Sequence, residues 1–459
     1  MGGLLNALNA GRTSLSTNQK AIEIAGNNIA NVNTPGYSRQ TAELTPFPSL
    51  QFGNFFIGQG VKISDVTREH DVFITRQLQD KAADYGEESA KADPMSEVER
   101  VISVADDSLA TDIDKFFDAW QELSANPSGQ AEREIVLQRG SLLAESFHGV
   151  VTEMETVQGN INTTLLSKID NVNYQLGQVA ELNQQIAAIQ ASGQSPNSFL
   201  DQRDQLLQKL SQTLGIQSYE DSTGMVGVQL PGGLPLVQSD GALSIEAVTV
   251  GNDLQLKIHM GDATFDINGN NLGGEFKGLI DMRDNFIPSV LDNIDQLAYS
   301  ITNEVNTLHQ AGTGLDGVSG RDFFGAQGTV SGSAKNIYLA LSGSSEVAAG
   351  TSGASGDNTN ALAMAGLADA KVVNSEDTFV GFYGKIASQV GVAAGQNQLA
   401  LTGADDAMLQ LENMREGKVG VSIEEEMIDL MQYQKGFEAS AKYLSTVDEM
   451  MDTLLSLKR

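Results

Sequence analysis

The chain has 459 residues, 59 acidic against 28 basic side chains, a net charge of −31 with histidine neutral, and no cysteine. The acidic balance excludes a broad nucleic-acid footprint, which needs clustered Lys and Arg, and disfavours anionic membrane surfaces. The missing thiols exclude disulfide frameworks, Cys-ligated zinc, iron–sulfur clusters and thiol nucleophiles.

At about 150 residues per domain the length suggests roughly three domains. There is no apolar run of about 18 residues, so no membrane insertion is expected. Met1-Gly2-Gly3-Leu4-Leu5-Asn6 shows neither a basic n-region nor an apolar h-region, so no cleaved secretory signal is expected. Asn6, where Ser or Thr is needed, argues against lipidation of Gly2.

From the start, Leu4, Leu8, Gly11, Leu15, Asn18, Ile22, Ala25, Ile29 and Val32 alternate steps of four and three. This is a heptad seam on a first helix. Asn33-Thr34-Pro35-Gly36 must end it, because the residue before Pro leaves the helical region and Pro-Gly marks a turn. Helices are then expected over 71–105, 112–123, 131–191 and 198–214. The third carries the stripe Leu165, Ile169, Val172, Leu176, Val179 and Ile186.

From Ile216 the pattern becomes period two and rich in turns. Residues 216–275 read as a small β domain, with Asn268-Gly269 as a hairpin turn. Helix returns near Phe276, and Pro288 suits the first turn of a helix reaching Leu308. Residues 311–357 are rich in Gly and Ser, with one strand expected at 337–341. A helix is expected over 358–414. Ser422 with Glu425 forms a capping box for the last helix. Its seam runs Ile423, Met427, Leu430, Gln434, Phe437, Ala441, Leu444, Asp448, Met451 and Leu455. Glu424, Glu425 and Glu426 in the first turn, and Lys458 and Arg459 at the end, suit the helix dipole.

The expected fold is mainly α with a small inserted β domain. Residues 1–40 with 420–459 form an inner unit of paired N- and C-terminal coiled-coil helices. Residues 41–215 with 276–419 form a mainly helical body, and 216–275 an outer β domain. An isolated helix of about 30 residues is marginal in water. Each buried large apolar side chain adds about 1.5–3 kcal/mol. The two seams therefore need partners: each other, or further copies in an assembly. Heptads alone do not choose.

Motifs for chemistry are weak. Gly312-Thr313-Gly314-Leu315-Asp316-Gly317 matches a dinucleotide fingerprint in letters, but the required strand before and helix after are not expected. Asp266, Asn268 and Asn270 have partial calcium-loop spacing, yet Asn271 and Lys277 stand where Gly and Glu are required. Asp201, Arg203, Asp204, Arg283 and Asp284 read as ion pairs that fix helix packing. His70, His148, His259 and His309 are scattered, and Trp120 beside Phe116 and Phe117 reads as a core anchor. No catalytic residue, cofactor or metal ligand is assigned. Asn27, Asn28, Asn31 and Asn33 favour side-chain hydrogen bonds to backbone at a tight junction.

The run from Gly26 to Gln40, Gly-Asn-Asn-Ile-Ala-Asn-Val-Asn-Thr-Pro-Gly-Tyr-Ser-Arg-Gln, resembles the N-terminal signature of bacterial flagellar axial proteins. Its Thr-Pro-Gly-Tyr-Ser-Arg-Gln ending resembles the hook-associated proteins of the hook–filament junction. Gly420-Val421-Ser422-Ile423-Glu424-Glu425-Glu426-Met427, Tyr433-Gln434-Lys435 and Ala439-Ser440-Ala441-Lys442-Tyr443 resemble the same family. Supporting stretches are 116–127, 200–206 and 306–324.

The resemblance implies a non-enzymatic, extracellular structural adaptor of the flagellum, exported through the flagellar type III channel. Implied partners are copies of itself in a ring-like layer, the hook protein, the second hook–filament junction protein and a flagellar export chaperone. The implied assembly residues are Leu4, Leu8, Leu15, Ile22, Ala25 and Ile29, with Ile423, Met427, Leu430, Phe437, Ala441, Leu444, Met451 and Leu455, the C-terminal set also meeting the chaperone. Asn28, Asn31, Asn33, Pro35, Gly36, Tyr37 and Arg39 form the signature turn. Alternatives are another axial subunit of hook or rod, or an enzyme or surface-binding module carried on a flagellar scaffold.

Overall fold

The computed structural model describes residues 2–456 except 53, 107, 222, 251, 252 and 262, so the dipole reading of Lys458 and Arg459 lies outside the described residues. The first helix, α1 (Gly2–Ala30), gives way to an arm of short strands: β1 (Gln40–Pro46), β2 (Leu50–Phe52), β3 (Phe55–Ile57) and β4 (Val61–Arg68). β1 pairs antiparallel with β4 and β2 with β3. Sequence pattern did not announce this arm. Much of it is solvated on both faces, so the alternation that marks a half-buried strand is faint.

Four helices follow: α2 (Val72–Ile102), α3 (Leu109–Ala125), α4 (Gln130–Ala191) and α5 (Asn197–Leu214). Asp71 caps α2, its Oδ1 accepting from the Phe73 and Ile74 amides at 3.0 and 3.1 Å. At 62 residues α4 is about 93 Å long. Its expected stripe is buried throughout, from Leu165 to Ile186. Gly215 ends α5 at φ 64°, and a Cβ there would lie 2.4 Å from the Gly273 Cα, so glycine is required.

Two antiparallel sheets come next. The first, in spatial order, holds β5 (Gln217–Glu220), β6 (Val226–Gln229), β7 (Pro235–Gln238) and β8 (Gly241–Ala242). The second has β10 (Asp253–Met260) between β9 (Ile245–Val250) and β11 (Ala263–Ile267). α4 pins each sheet by one asparagine. Asn183 donates to the Val226 and Ser239 carbonyls and accepts from the Val226 amide; Asn173 makes a reciprocal pair with Ile245. Asn268-Gly269 is not the hairpin turn. The Asn268 side chain instead accepts from the Asn270 amide and opens a 3-10 turn after β11, the local competition that Asn favours.

α6 (Gly274–Asp281) runs through a π-turn, Met282–Phe286, into α7 (Ile287–Ala311). Pro288 stands in the first turn of α7 and supplies no amide hydrogen, which the widened turn accommodates. The expected strand at 337–341 is only an isolated bridge of Leu339 to Phe324, preceded by α8 (Ser333–Asn336). The expected helix at 358–414 is divided into α9 (Thr359–Gly366) and α10 (Phe379–Val419). Asn374 and Ser375 between them have φ of 52° and 62°, which no helix permits, and Thr378 caps α10. α11 (Ile423–Ser456) ends the described chain.

The Gly/Ser-rich segment is fixed by aromatic anchors. Phe323 and Phe324 are fully buried and meet Phe116 at ring-centroid distances of 5.5 and 5.7 Å. Trp120 lies 5.6 Å from Phe323. His309 staples the segment twice: Nδ1 bonds the Arg321 carbonyl at 2.8 Å, and Nε2 accepts from the Ala348 amide at 3.0 Å. Only a neutral imidazole protonated on Nδ1 makes both bonds.

Burial pushes His309 below its ordinary 6.5, against an opposing pull from the Arg321 carbonyl. A depressed folded-state pKa stabilises above the unfolded value and loses that stability as pH falls. Denaturant midpoints are therefore expected to fall between pH 6.5 and the depressed value. His309→Gln is expected to be less stable at pH 7.5 but to show a flatter profile there. An unchanged profile would remove His309 from the acid response.

Candidate assembly interface

α1 and α11 pack antiparallel, and their closest approach is made by small residues. A Cβ on Gly11 would lie 2.9 Å from Leu444 Cγ, and one on Gly436 2.6 Å from Asn18 Oδ1. Ser14 and Ser440 hydroxyls meet at 2.8 Å. Ala21 and Ala25 are buried between the helices' contacts and the arm. The inward stripe of α1 is thus Gly11, Ser14, Asn18, Ala21, Ala25 and Asn28.

This corrects the phase of the expected seams. Every second heptad position is displaced by one residue, so Ser14, Ala21 and Asn28 replace Leu15, Ile22 and Ile29. On α11, Glu426, Ser440 and Val447 are the buried residues. Ile423, Met427, Ala441 and Leu455 are exposed, while Leu430, Phe437, Leu444 and Met451 are half-buried. Leu4, Leu8, Leu15, Ile22 and Ile29 are also half-buried, and Ala25 is buried. The physical reason is close approach: small residues let the two axes draw together and push larger apolar side chains to the flanks.

The signature turn forms a polar clamp at the base of this pair. Asn28 is 1 % exposed. Its Nδ2 donates to the Gln40 carbonyl at 2.9 Å and to Glu426 Oε2 at 3.0 Å. Its Oδ1 accepts from the Gln40 amide at 3.0 Å and the Tyr37 hydroxyl at 2.9 Å. Burial, then the charges of Asp201 and Glu426, push Tyr37 up to about 12, so it remains a donor. Arg39 Nε meets Glu426 Oε1 at 2.6 Å, and its terminal nitrogens reach Asp429 at 3.1 Å and Glu425 at 3.5 Å. The Glu426 hydrogen bond holds the Arg39 guanidinium above its ordinary range. The Arg39 amide donates to the Val419 carbonyl at 2.9 Å, tying in the end of α10.

A second set fastens the turn to the helical body. Ser38 donates from amide and hydroxyl to Asp201, at 3.1 and 2.7 Å. Arg68 lies 2.7 Å from both Asp201 and Asp204. Gly36 has φ 76°, and a Cβ there would lie 2.0 Å from Gln205 Nε2, which donates to the Pro35 carbonyl at 2.5 Å. Asn31 closes the helix end, donating to the Asn27 carbonyl and accepting from Thr34. Asn33 and Pro35 lie exposed on the outer side.

Glu426, Asp429, Arg68 and Gln205 were not singled out from sequence. Glu426 reads there as one of three dipole-suited acids, and nothing local distinguishes it. The other charged cluster is dispersed. Arg203 binds the carbonyls of Asn183 and Gly224, and Arg283 pairs with its neighbour Asp284. The glycine-rich run 312–317 is a turn closed by Gly317 on Gly314, and Asp266 sits near Lys257 at 3.4 Å. Among the described residues no group of three or more His, Asp or Glu converges as a metal site, and no helix is long and apolar enough to cross a membrane.

Three family models match the chain. The flagellar hook-associated protein FlgK helical domain matches residues 95–324, the flagellar basal body rod FlgEFG protein C-terminal model 418–457, and the flagella basal body rod protein model 8–37. Flagellar hook-associated protein 1 of Bacillus subtilis (strain 168) is 28% identical over 506 aligned positions, covering 98% of this chain and 97% of that protein. The protein of that name from Escherichia coli (strain K12) is 24% identical, covering 98% and 99%. Both alignments are longer than the chain, so these relatives carry segments that it lacks.

The solved flagellar hook junction protein FlgK from Burkholderia pseudomallei shares the fold. Its TM-score is 0.69 at 17% identity, over 75% of this chain and 100% of that one. With the helical-domain model matching half of the chain and the rod-protein models both ends, the chain belongs to the flagellar hook-associated protein FlgK family.

Proposed function

We propose that the chain is a non-enzymatic adaptor that assembles with copies of itself into a layer between hook and filament and templates filament attachment. Its role is structural, at the hook–filament junction of the flagellum. One observation carries the assembly reading: pairing of α1 with α11 leaves most large apolar side chains of α11 uncovered. Ile423, Met427, Met431, Met450, Leu454 and Leu455 are all exposed. An apolar surface of this extent marks an interaction site. In the layer, neighbouring copies cover it, with the hook protein on one side and the second hook–filament junction protein on the other.

Before assembly the same face needs another cover. A flagellar export chaperone on the C-terminal seam would supply it in the cytoplasm. A chain without cysteine cannot be locked by a disulfide before passage through the type III export channel.

Electron microscopy of a strain lacking the gene, with filament protein assayed in the medium, tests the adaptor. Bare hooks and shed filament subunits are expected. Missing hooks would move the chain down to hook or rod, and normal filaments would refute the adaptor. Leu444→Asp tests the seam. A charge against Gly11 is expected to abolish incorporation while the β5–β8 sheet, distant in the fold, keeps its hydrogen-exchange protection. Normal incorporation of Leu444→Asp would count against the α1–α11 surface.

A further inference from the structure

An open cleft of about 450 Å³ lies where the end of β4, the start of α2, α5 and β5 converge. The chain has only 28 basic residues, yet Arg68, Arg76 and Arg203 all line this cleft, beside His70. The three arginines are unequally satisfied. The charge of Arg68 is answered by two carboxylates, Asp201 and Asp204, both on Nη1.

Arg203 is 2 % exposed. Its hydrogen bonds go to two neutral oxygens, Asn183 Oδ1 at 3.2 Å and the Gly224 carbonyl at 2.7 Å. Its Nε is buried without a partner. The nearest carboxylate free to answer it is Glu220 at 4.0 Å, on a side chain 57 % exposed. Burying a cation without a matched anion is unfavourable. Arg76, at the exposed mouth, makes no hydrogen bond or ion pair among the described residues. Its five donors are open. Of the carboxylates lining the cleft, Asp204 is committed to Arg68 and Glu220 faces solvent.

We propose that this cleft is a socket for a carboxylate side chain of a second copy of the chain. Arg76 grips it at the mouth, and the incompletely offset charge of Arg203 attracts it from behind. An arginine and a carboxylate favour a bidentate pair of charge-assisted hydrogen bonds. Charge complementarity selects the occupant. With 59 acidic against 28 basic residues, a neighbouring copy has carboxylates in excess, whereas unpaired cations are scarce. The proposal rests on the self-assembly reading above.

Arg76→Glu and Arg76→Lys test it in cells. Arg76 is exposed and unpaired, so both variants are expected to melt as the parent does. Arg76→Glu is expected to lower junction occupancy by about tenfold through like-charge repulsion, with Arg76→Lys between the two, because an ammonium keeps the charge and loses the paired fork. Equal occupancy of Arg76→Glu and parent overturns the socket. Absence of the parent chain from junctions overturns the adaptor reading instead, so the two failures are distinct.

The identity of the occupant is read by cross-linking. Val72→Cys, on the exposed rim, is the sole thiol and carries a short photo-cross-linker into assembled junctions. An Asp- or Glu-bearing peptide of a second copy is the expected product. Products with hook or filament subunits alone overturn the assignment. So does the absence of a protein product when inorganic phosphate raises the Tm of the parent but not of Arg76→Glu.

Discussion

Replacing Arg39 with methionine is expected to destabilise the base of the α1–α11 pair by about 3 kcal/mol, measured by hydrogen exchange at residues 25–32 and 424–430. Glu426 is 2 % exposed, and Arg39 is its cationic partner at 2.6 Å. Removing one member of a buried pair typically costs about 3–5 kcal/mol, because the other charge stays behind uncompensated. The lower end applies here, since Arg39 is itself partly solvated and Asn28 still donates to Glu426. The double variant Arg39→Met with Glu426→Met is expected to recover most of the loss, because an apolar pair has no stranded charge. A double variant as weak as Arg39→Met would show that Arg39 acts through Asp429 or Glu425 rather than Glu426.

The second large effect concerns the aromatic core. Phe323→Ala is expected to lower global stability by about 3–5 kcal/mol, the range for a buried aromatic truncated to alanine. Phe323 touches four other rings: Phe116, Trp120, His309 and Phe324, at 5.5, 5.6, 5.6 and 4.9 Å. It also fills the space over Gly140, where a Cβ would come within 2.6 Å of its ring. The other anchors of the Gly/Ser-rich segment, Asp295 on the Gly332 and Ala334 amides and His309 on Arg321 and Ala348, lie to either side of residues 326–331. Limited proteolysis should therefore open the stretch between them in the variant. A loss below 1 kcal/mol in a denaturant titration would mean that the ring is not what holds the segment down.

Helices were legible in the sequence where large apolar residues keep a 3.6 period, as along α4. The two end helices were legible for the same reason, but their phase was not. Gly11, Ser14, Gly436 and Ser440 carry no hydrophobic signal, yet they set how closely the axes approach. Asn28 was legible as a residue seeking backbone partners, whereas its bond to Glu426 spans 398 residues and leaves no local trace. The β1–β4 arm was missed because its alternation survives only in short stretches, at 40–43 and 61–64, and β3 is exposed throughout. The segment 311–357 looked like loose turn, and it is ordered by Phe323 and Phe324 rather than by any repeating pattern.

The Asn28–Glu426 bond also has a consequence in time. Synthesis runs from the amino end, so α1 is made well before Glu426 and waits for it before its clamp can close. Closing a loop that long is entropically unfavourable, although the cost grows only slowly, about 0.6 kcal/mol per doubling of length. Contacts so distant in sequence also form late in folding. The helical body obeys the same constraint, since α2 packs along α10. Both ends of the chain therefore stay free until it is nearly whole, and can be handed from one partner to the next before the clamp closes.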